Sequence, residues 1–320
     1  MKHTVKICAR SFKSRRWLLM FIIACIASVN ILLLLFQTPA AHTSRVQGLS
    51  VSPGGSLMID IQGLLAPAGA PINDLSKHPI VNNGKVKYLI NPKDLCFRGP
   101  IELLVAVSSH AMNLERRKRT RESFNVGPQR DAKLRLVFFV SVYTHLEGFQ
   151  HKIQTESDRY GDIVQIKAVE SYKNLTLKSI AILYWSSRHC AQARYILKQD
   201  DDVKVDTFNV IRALRQRSMK FDHFIVGNSK LLVESPIRDE LSKYYTSKED
   251  FADSYYPIFV HGPGYAFPRA TGALLYQASL RTSYFWLEDV YITGLCAAKA
   301  GVPVFFDSQF VLHEQWGNEM

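Results

Sequence analysis

An α/β fold on a mainly parallel central sheet is predicted by three observations: apolar runs of strand length, polar helical stretches between them, and an acidic cluster closing one run. Ile101 to Val107 (IELLVAV) is apolar almost throughout, as a strand covered on both faces should be. The basic stretch Asn113 to Phe124 follows it with helical character. Leu134 to Val142 (LRLVFFVSV) and Ile163 to Ile166 read as the next strands, with the polar, helix-like Gln150 to Tyr160 between them. Leu175 to Cys190 is the strongest helix in the chain, with Leu175, Ile182 and Trp185 near one face. It leads into Tyr195-Ile196-Leu197 and then Asp200-Asp201-Asp202. Asp206 is placed to cap a helix reaching Arg217, and Phe224-Ile225-Val226 gives a strand that stops at Gly227. Strands alternating with helices imply a sheet covered on both faces. No P-loop or GxGxxG fingerprint follows the first strand, which removes the main support for ATPases and dehydrogenases.

The N-terminal third reads differently. Residues 1–16 carry Lys2, Lys6, Arg10, Lys13, Arg15 and Arg16 with no acidic residue, and residues 17–36 (WLLMFIIACIASVNILLLLF) carry no charge at all. A span of about 20 apolar residues crosses a bilayer, and the basic flank keeps the N-terminus cytosolic, so a type II signal-anchor is expected. A cleaved signal peptide, with Thr38-Pro39-Ala40-Ala41 as its cleavage region, is the competing reading. Residues 37–93 are rich in Pro, Gly, Ser and Asn and read as a stem, leaving residues 94–320 as one lumenal catalytic domain. The net charge of +12 draws half its excess from the basic tail, and a lumenal location argues against a nucleic-acid partner. Of the five cysteines, Cys96, Cys190 and Cys296 fall in the lumenal part, which allows at most one internal disulfide and leaves a further thiol. Asn174-Leu175-Thr176 is a glycosylation sequon; equally, Asn174 can act as the cap of the helix that follows.

Chemistry concentrates in two acidic groups. Asp200 to Asp202 end a strand where α/β sheets bind ligands, and three adjacent carboxylates repel unless a cation holds them; their hard oxygens suit Mg²⁺ or Mn²⁺. Glu288 and Asp289 open a helix with apolar residues behind them, where the helix dipole alone would favour acids. The functional alternative makes Asp289 a general base and Glu288 an acceptor-orienting or helix-anchoring residue. The segment Tyr256 to Tyr265 (YPIFVHGPGY) combines aromatics with glycines, as where backbone approaches a ligand near Gly264 and Tyr265, and Gly-Pro-Gly equally marks an ordinary turn. Arg117 and Arg121, one turn apart after the first strand, are positioned to reach a diphosphate. His313, behind Phe310-Val311-Leu312, is able to ligate metal through a neutral imidazole.

In their order along the chain, these segments resemble the β-1,3-galactosyltransferase and β-1,3-N-acetylglucosaminyltransferase family, glycosyltransferase family 31. Glu115 to Phe124 is similar to its ERRxxIRxTW segment and Ser171 to Lys178 to its SYxNLTLK segment. Tyr195 to Val203 resembles the strand carrying its DxD element, and Pro236, Arg238 and Lys243 its PxR...K stretch. Tyr256 to Tyr265 and Glu288 to Gly294 are similar to its YPxYxxGxGY and EDVYxG segments. The resemblance implies a GT-A fold, a UDP-sugar donor, a glycan acceptor on glycoprotein or glycolipid, Mn²⁺, inversion to a β-1,3 linkage, and a Golgi membrane location. It further implies Asp202 and His313 as metal ligands, Asp289 as the base, and Asp200, Asp201 and Lys178 on the donor side. Thr120, Phe124 and Pro263 depart from the family pattern, and Pro263 restricts the backbone at the donor or acceptor wall. The donor sugar, galactose or an N-acetylhexosamine, is not readable from these residues. A membrane-anchored homologue without catalysis and a metal-dependent phosphohydrolase are the rival readings, and turnover of UDP-sugars separates them.

Overall fold

Six of eight strands run in one direction in the central sheet, as the apolar runs lead one to expect, while the other two run against them. The computed structural model describes residues 71–83, 86–97, 99–124, 133–228, 234–307 and 312–314. The expected signal-anchor lies outside these residues, and among the described residues no helix is long and apolar enough to cross a membrane.

Strand β1 (Tyr88–Ile90) adds antiparallel to the sheet edge, so the segment expected to be stem already contributes to the domain before its end at residue 93. Asn73 and Asn82 reinforce this, bonding to the carbonyls of Ala300 and Leu280 through their backbone N–H groups. Strand β2 (Ile101–Ser108) is buried along nearly its whole length, which explains its unbroken apolar sequence. Helix α1 (Leu114–Phe124) follows, then β3 (Leu134–Val142), α2 (Phe149–Tyr160), β4 (Ile163–Val169), α3 (Leu175–His189) and β5 (Ala193–Asp200). Gly161 ends α2 in the left-handed region at φ 63°, returning its N–H to Ser157 O, a conformation glycine reaches without Cβ strain.

After the short β6 (Val203–Val205), Asp206 caps α4 (Thr207–Ser218) by accepting from the N–H groups of Phe208 and Asn209. Strand β7 (Ile225–Gly227) is followed by β8 (Gly264–Pro268), helix α5 (Arg269–Ser279), a π-helical stretch Val290–Cys296, α6 (Ala297–Ala300), β9 (Val304–Phe306) and β10 (Leu312–Glu314). The sheet order is β1-β4-β3-β2-β5-β8-β7-β9, and β10 pairs separately with β6. Strand β8 runs antiparallel between β5 and β7, an insertion the alternation of strands and helices does not foretell. Two apolar cores fill the faces of the sheet, one including Ile196, Tyr265 and Trp185, the other Tyr195, Leu197 and Phe138. A disulfide joins Cys96, ahead of β2, to Cys190, at the end of α3, and Cys296 is a buried free thiol.

Candidate active site

From β2 the chain winds outward through α1 and α2 to β4, then returns through α3 to set β5 on the other side of β2. Connections diverging from two neighbouring parallel strands open a crevice at their carboxyl ends, where open α/β sheets take ligands. Ser108 and Asp200 sit opposite each other at that point.

Strand β5 ends at Asp200 and the chain turns through Asp201 and Asp202, which sends the three carboxylates different ways. Asp201 turns toward the β2–α1 connection and is consumed there. It accepts from Ser109 Oγ (2.7 Å), Asn113 Nδ2 (2.9 Å), the His110 N–H (3.3 Å) and Arg116 Nη1 (3.2 Å). Asp202 stands in the turn with 57% of its side chain exposed and Arg116 Nη1 3.9 Å away. Asp200 shares a face with Lys198, whose Nζ donates to it at 2.8 Å, and keeps 31% of its side chain exposed.

Lys198 is the hub. Buried in β5, its ammonium also donates to Gly262 O (2.7 Å) and lies 3.2 Å from Glu288 Oε2. Burial alone would strip its proton, but Asp200 and Glu288 outweigh burial and hold its pKa above the ordinary lysine value. Burial pushes the Asp200 carboxyl up to about 6 against the pull of Lys198, with Glu288 and Asp202 adding repulsion.

Gly262 is the second organiser. Its N–H donates to Asp289 Oδ2 (3.0 Å) while its carbonyl receives Lys198, so one residue bridges the strand and both acids. A Cβ there would lie 3.3 Å from Glu288 Oε2 and 3.4 Å from Asp289 Oδ2, so a side chain at this position would press the Glu288 carboxylate back by a few tenths of an ångström. Asp289 caps the π-helical stretch, Oδ1 accepting from the Val290 N–H at 2.9 Å. Burial raises its pKa above the usual carboxylate value, opposed by those two backbone N–H groups and by the Lys198 and His261 charges. Thr293 Oγ1 donates to Asp289 O (2.7 Å) and accepts from the Val260 N–H (3.1 Å), clamping the Asp289 backbone to the glycine-bearing segment. Such an arrangement holds a half-buried carboxylate of raised basicity beside a second acidic group, as general-base chemistry requires.

Several residues expected at the ligand are spent inside the fold instead. Arg117 has 0% of its side chain exposed and grips Glu156 at two points (Nη2 to Oε2, 2.8 Å; Nε to Oε1, 3.0 Å), while Nη1 and Nη2 also donate to Ser109 Oγ, His110 O and Ala111 O. Arg121 forms a two-point pair with Asp162 (2.7 and 2.8 Å) and reaches Glu156 at 2.8 Å. These two arginines knit α1 to α2 and to the start of β4, and neither presents its charge to a diphosphate. Lys178 likewise pairs with Glu170 (2.9 Å) and Ser109 O (2.9 Å), fastening α3 to the end of β2. Glu288, expected toward the acceptor, is buried and receives Tyr265 OH at 2.6 Å beside Lys198, which makes it an anchor. Tyr265 and Gly264 are themselves buried in β8, behind the carboxylates.

His313 belongs to β10, whose backbone pairs His313 with Lys204, just past the aspartates; its side chain lies outside the described residues. Among the described residues no three His, Cys, Asp or Glu side chains converge into a ready-made cage, and Asp200 and Asp202 are the two members of the triplet that keep open surface. Asn174 does not cap α3 with its side chain, which donates to Val169 O at 2.9 Å, and Thr176 is buried with its hydroxyl donating to Phe285 O at 2.9 Å. Lys198 is a residue of this site that the sequence reading does not name, and of the arginines on α1 it is Arg116, not Arg117 or Arg121, that reaches the aspartates. The signal for Lys198 was a cation two residues before Asp200 on a strand otherwise reading as core.

A family model described as Galactosyltransferase matches residues 115–306, a stretch that contains all of these carboxylates. Beta-1,3-galactosyltransferase 2 of Mus musculus is 29% identical over 282 residues, 87% of this chain and 66% of that protein. Beta-1,3-galactosyltransferase 1 of Homo sapiens is 30% identical over 236 residues, 72% of this chain and 70% of its own length. The human lactosylceramide 1,3-N-acetyl-beta-D-glucosaminyltransferase is 32% identical over 237 residues, covering 70% of this chain and 62% of that one. The chain thus spans 62% to 70% of the length of these three relatives. With more than half its length matched by the family model, and the acidic groups inside that match, the chain belongs to the galactosyltransferase family, glycosyltransferase family 31.

Proposed function

We propose that the protein is an inverting glycosyltransferase that moves galactose or an N-acetylhexosamine from a UDP-sugar to a hydroxyl of a glycan, forming a β-1,3 linkage. The observation that carries this reading is the Asp289 carboxylate, fixed by two backbone N–H groups across Gly262 from the Asp200 end of β5. Asp289 takes the proton of the acceptor hydroxyl as its oxygen bonds to the anomeric carbon, and the bond from that carbon to the diphosphate oxygen breaks, releasing UDP with inversion. Glu288, Lys198 and Gly262 hold this base in place, and burial keeps it basic enough for the transfer. Asp202 and Asp200, with His313, would hold Mn²⁺, whose donor preference for oxygen and imidazole they satisfy. When bound, the ion neutralises charge on the departing diphosphate. Arg116, between Asp201 and Asp202, keeps that acidic turn from splaying.

The Cys96–Cys190 bridge supports an oxidising compartment, and with residues 17–36 as signal-anchor the domain would work in the Golgi lumen. The test is UDP release from a panel of UDP-sugars with Mn²⁺, with and without glycan acceptors. Acceptor-dependent UDP release is expected with at least one donor. UDP-sugar breakdown indifferent to every acceptor would indicate a hydrolase, and no turnover of any donor would indicate a binding protein. Asp202→Ala should abolish metal-dependent UDP binding, and an unchanged Mn²⁺ titration by calorimetry would remove Asp202 from the metal site.

A further inference from the structure

Three aromatic side chains that the chemistry above leaves unused stand beside its base. Tyr172 lies in the 3-10 turn Tyr172–Asn174 ahead of α3, Tyr244 in the irregular segment between β7 and β8, and Trp286 two residues before Glu288. The Tyr172 ring centroid is 6.5 Å from that of Tyr244 and 6.2 Å from that of Trp286. Tyr172 stays 50% exposed and Tyr244 38%, while Trp286 is half-buried against the core and so gives the two open rings a fixed backing. Trp286, three residues ahead of Asp289, ties the cluster to that carboxylate by geometry, and burial, Tyr244 and the charges of Asp289 and Asp200 raise the Tyr172 phenol.

Each segment that presents a ring is tied down. Asn174 holds the Tyr172 turn to Val169 O, and Thr176 Oγ1 lies 3.1 Å from Trp286 O. The Tyr244 loop closes around the Arg238 guanidinium, which donates to the carbonyls of Thr246 (2.8 Å), Ser247 (2.6 Å), Phe251 (2.8 Å) and Asp253 (3.1 Å). Lys173 Nζ sits 5.9 Å from the Trp286 ring and Lys243 Nζ 4.7 Å from that of Tyr244, so the electron-rich faces already draw positive partners. Pre-positioned, half-exposed rings suit a ligand that is flat, polar at its rim and lined with polarised C–H bonds on its face. A pyranose ring has that form.

We propose that Tyr172, Tyr244 and Trp286 form a stacking platform for the sugar ring of the acceptor, holding its C–H face while the rim hydroxyl is turned toward Asp289. This inference rests on Asp289 being the base. Galactosides and N-acetylglucosaminides share the required C–H face, and the test separates them by using the methyl β-glycoside of each.

Saturation-transfer NMR on the intact chain should show the ring protons of at least one methyl glycoside receiving magnetisation, and Tyr244→Ala should weaken that signal. In transfer assays Tyr244→Ala should raise the acceptor KM by about two- to tenfold, the range a lost aromatic contact of about 0.5–1.5 kcal/mol gives, with donor KM within about twofold. Tyr244→Phe should restore acceptor KM, and Tyr244→Leu, which keeps apolar bulk without a ring, should not. The proposal is overturned if neither glycoside shows saturation transfer, if Tyr244→Ala and Tyr172→Ala both leave acceptor KM unchanged, or if Tyr244→Phe fails as badly as Tyr244→Ala. Donor turnover is read separately as UDP release, so loss of the platform and failure of the transferase reading give different results.

Discussion

Two groups of buried charge in this domain are built on opposite principles. Between α1, α2 and β4, Arg117 and Arg121 face Glu156 and Asp162, two cations against two carboxylates, each within 3 Å of a partner. At the end of β5, Lys198 bonds Asp200 and Glu288 while Asp289 stands beyond them with no lysine or arginine bonded to it among the described contacts, so carboxylates outnumber the paired cation. A balanced, fully bonded group holds a fold together, and removing one member strands its partner. An unbalanced group keeps perturbed acids that need a proton or an outside cation, which is the property functional sites exploit. In this chain Arg117 and Arg121 serve architecture, and the carboxylate excess is where the proposed chemistry would lie.

Substitutions can break that contrast. Asp289→Asn should reduce transfer by about 10²- to 10⁴-fold, the usual worth of a positioned base, with UDP binding by calorimetry nearly intact. Near wild-type turnover would remove Asp289 from the reaction. Arg117→Ala should cost about 3–5 kcal/mol in denaturant unfolding by leaving Glu156 under-partnered, without a specific rise in donor KM. A folded variant of normal stability with weakened donor binding would move Arg117 into the site.

Proton titration sharpens the same comparison. Because burial raises the Asp289 carboxyl, its active ionised form is lost as pH falls through that raised pKa. The acid limb of kcat/KM should therefore lie above the ordinary aspartate value of about 3.9. A limb at the ordinary value would show the base to be solvated. The smallest effect is expected at Asp206, an acid close in sequence to the site yet purely a helix cap: Asp206→Ala should lose about 0.5–2 kcal/mol of stability and leave kcat/KM unchanged.

Strands β2, β3 and β5 and helices α3 and α4 were legible because burial on both faces and capping write themselves into local sequence. Strand β7 was legible too, as an apolar run stopping at Gly227, whereas β1 and β9 have three residues each and β8 begins at the second glycine of a Gly-Pro-Gly turn, so their pairing is decided by distant partners. The same distinction governs the site. Asp200, Asp202 and Asp289 announce themselves as acids at element ends. The fate of Arg117, Arg121 and Lys178 depended on Glu156, Asp162 and Glu170, which lie 39, 41 and 8 residues away and are joined to them only by the fold. A basic residue one turn from another reads the same whether it meets a phosphate or a buried carboxylate.

The bridge from Cys96 to Cys190 closes a loop of 94 residues whose two anchors lie just outside β2 and just ahead of β5. Closing a loop of that size restrains the denatured chain by about 4–5 kcal/mol in the entropy picture. The two strands that frame the crevice are therefore stapled at the ends remote from it, so their ligand-facing tips gain rigidity from a covalent link that never touches substrate. Chain produced in a reducing cytosol would forgo that restraint and is expected to yield little folded material, whereas secretory expression would preserve it.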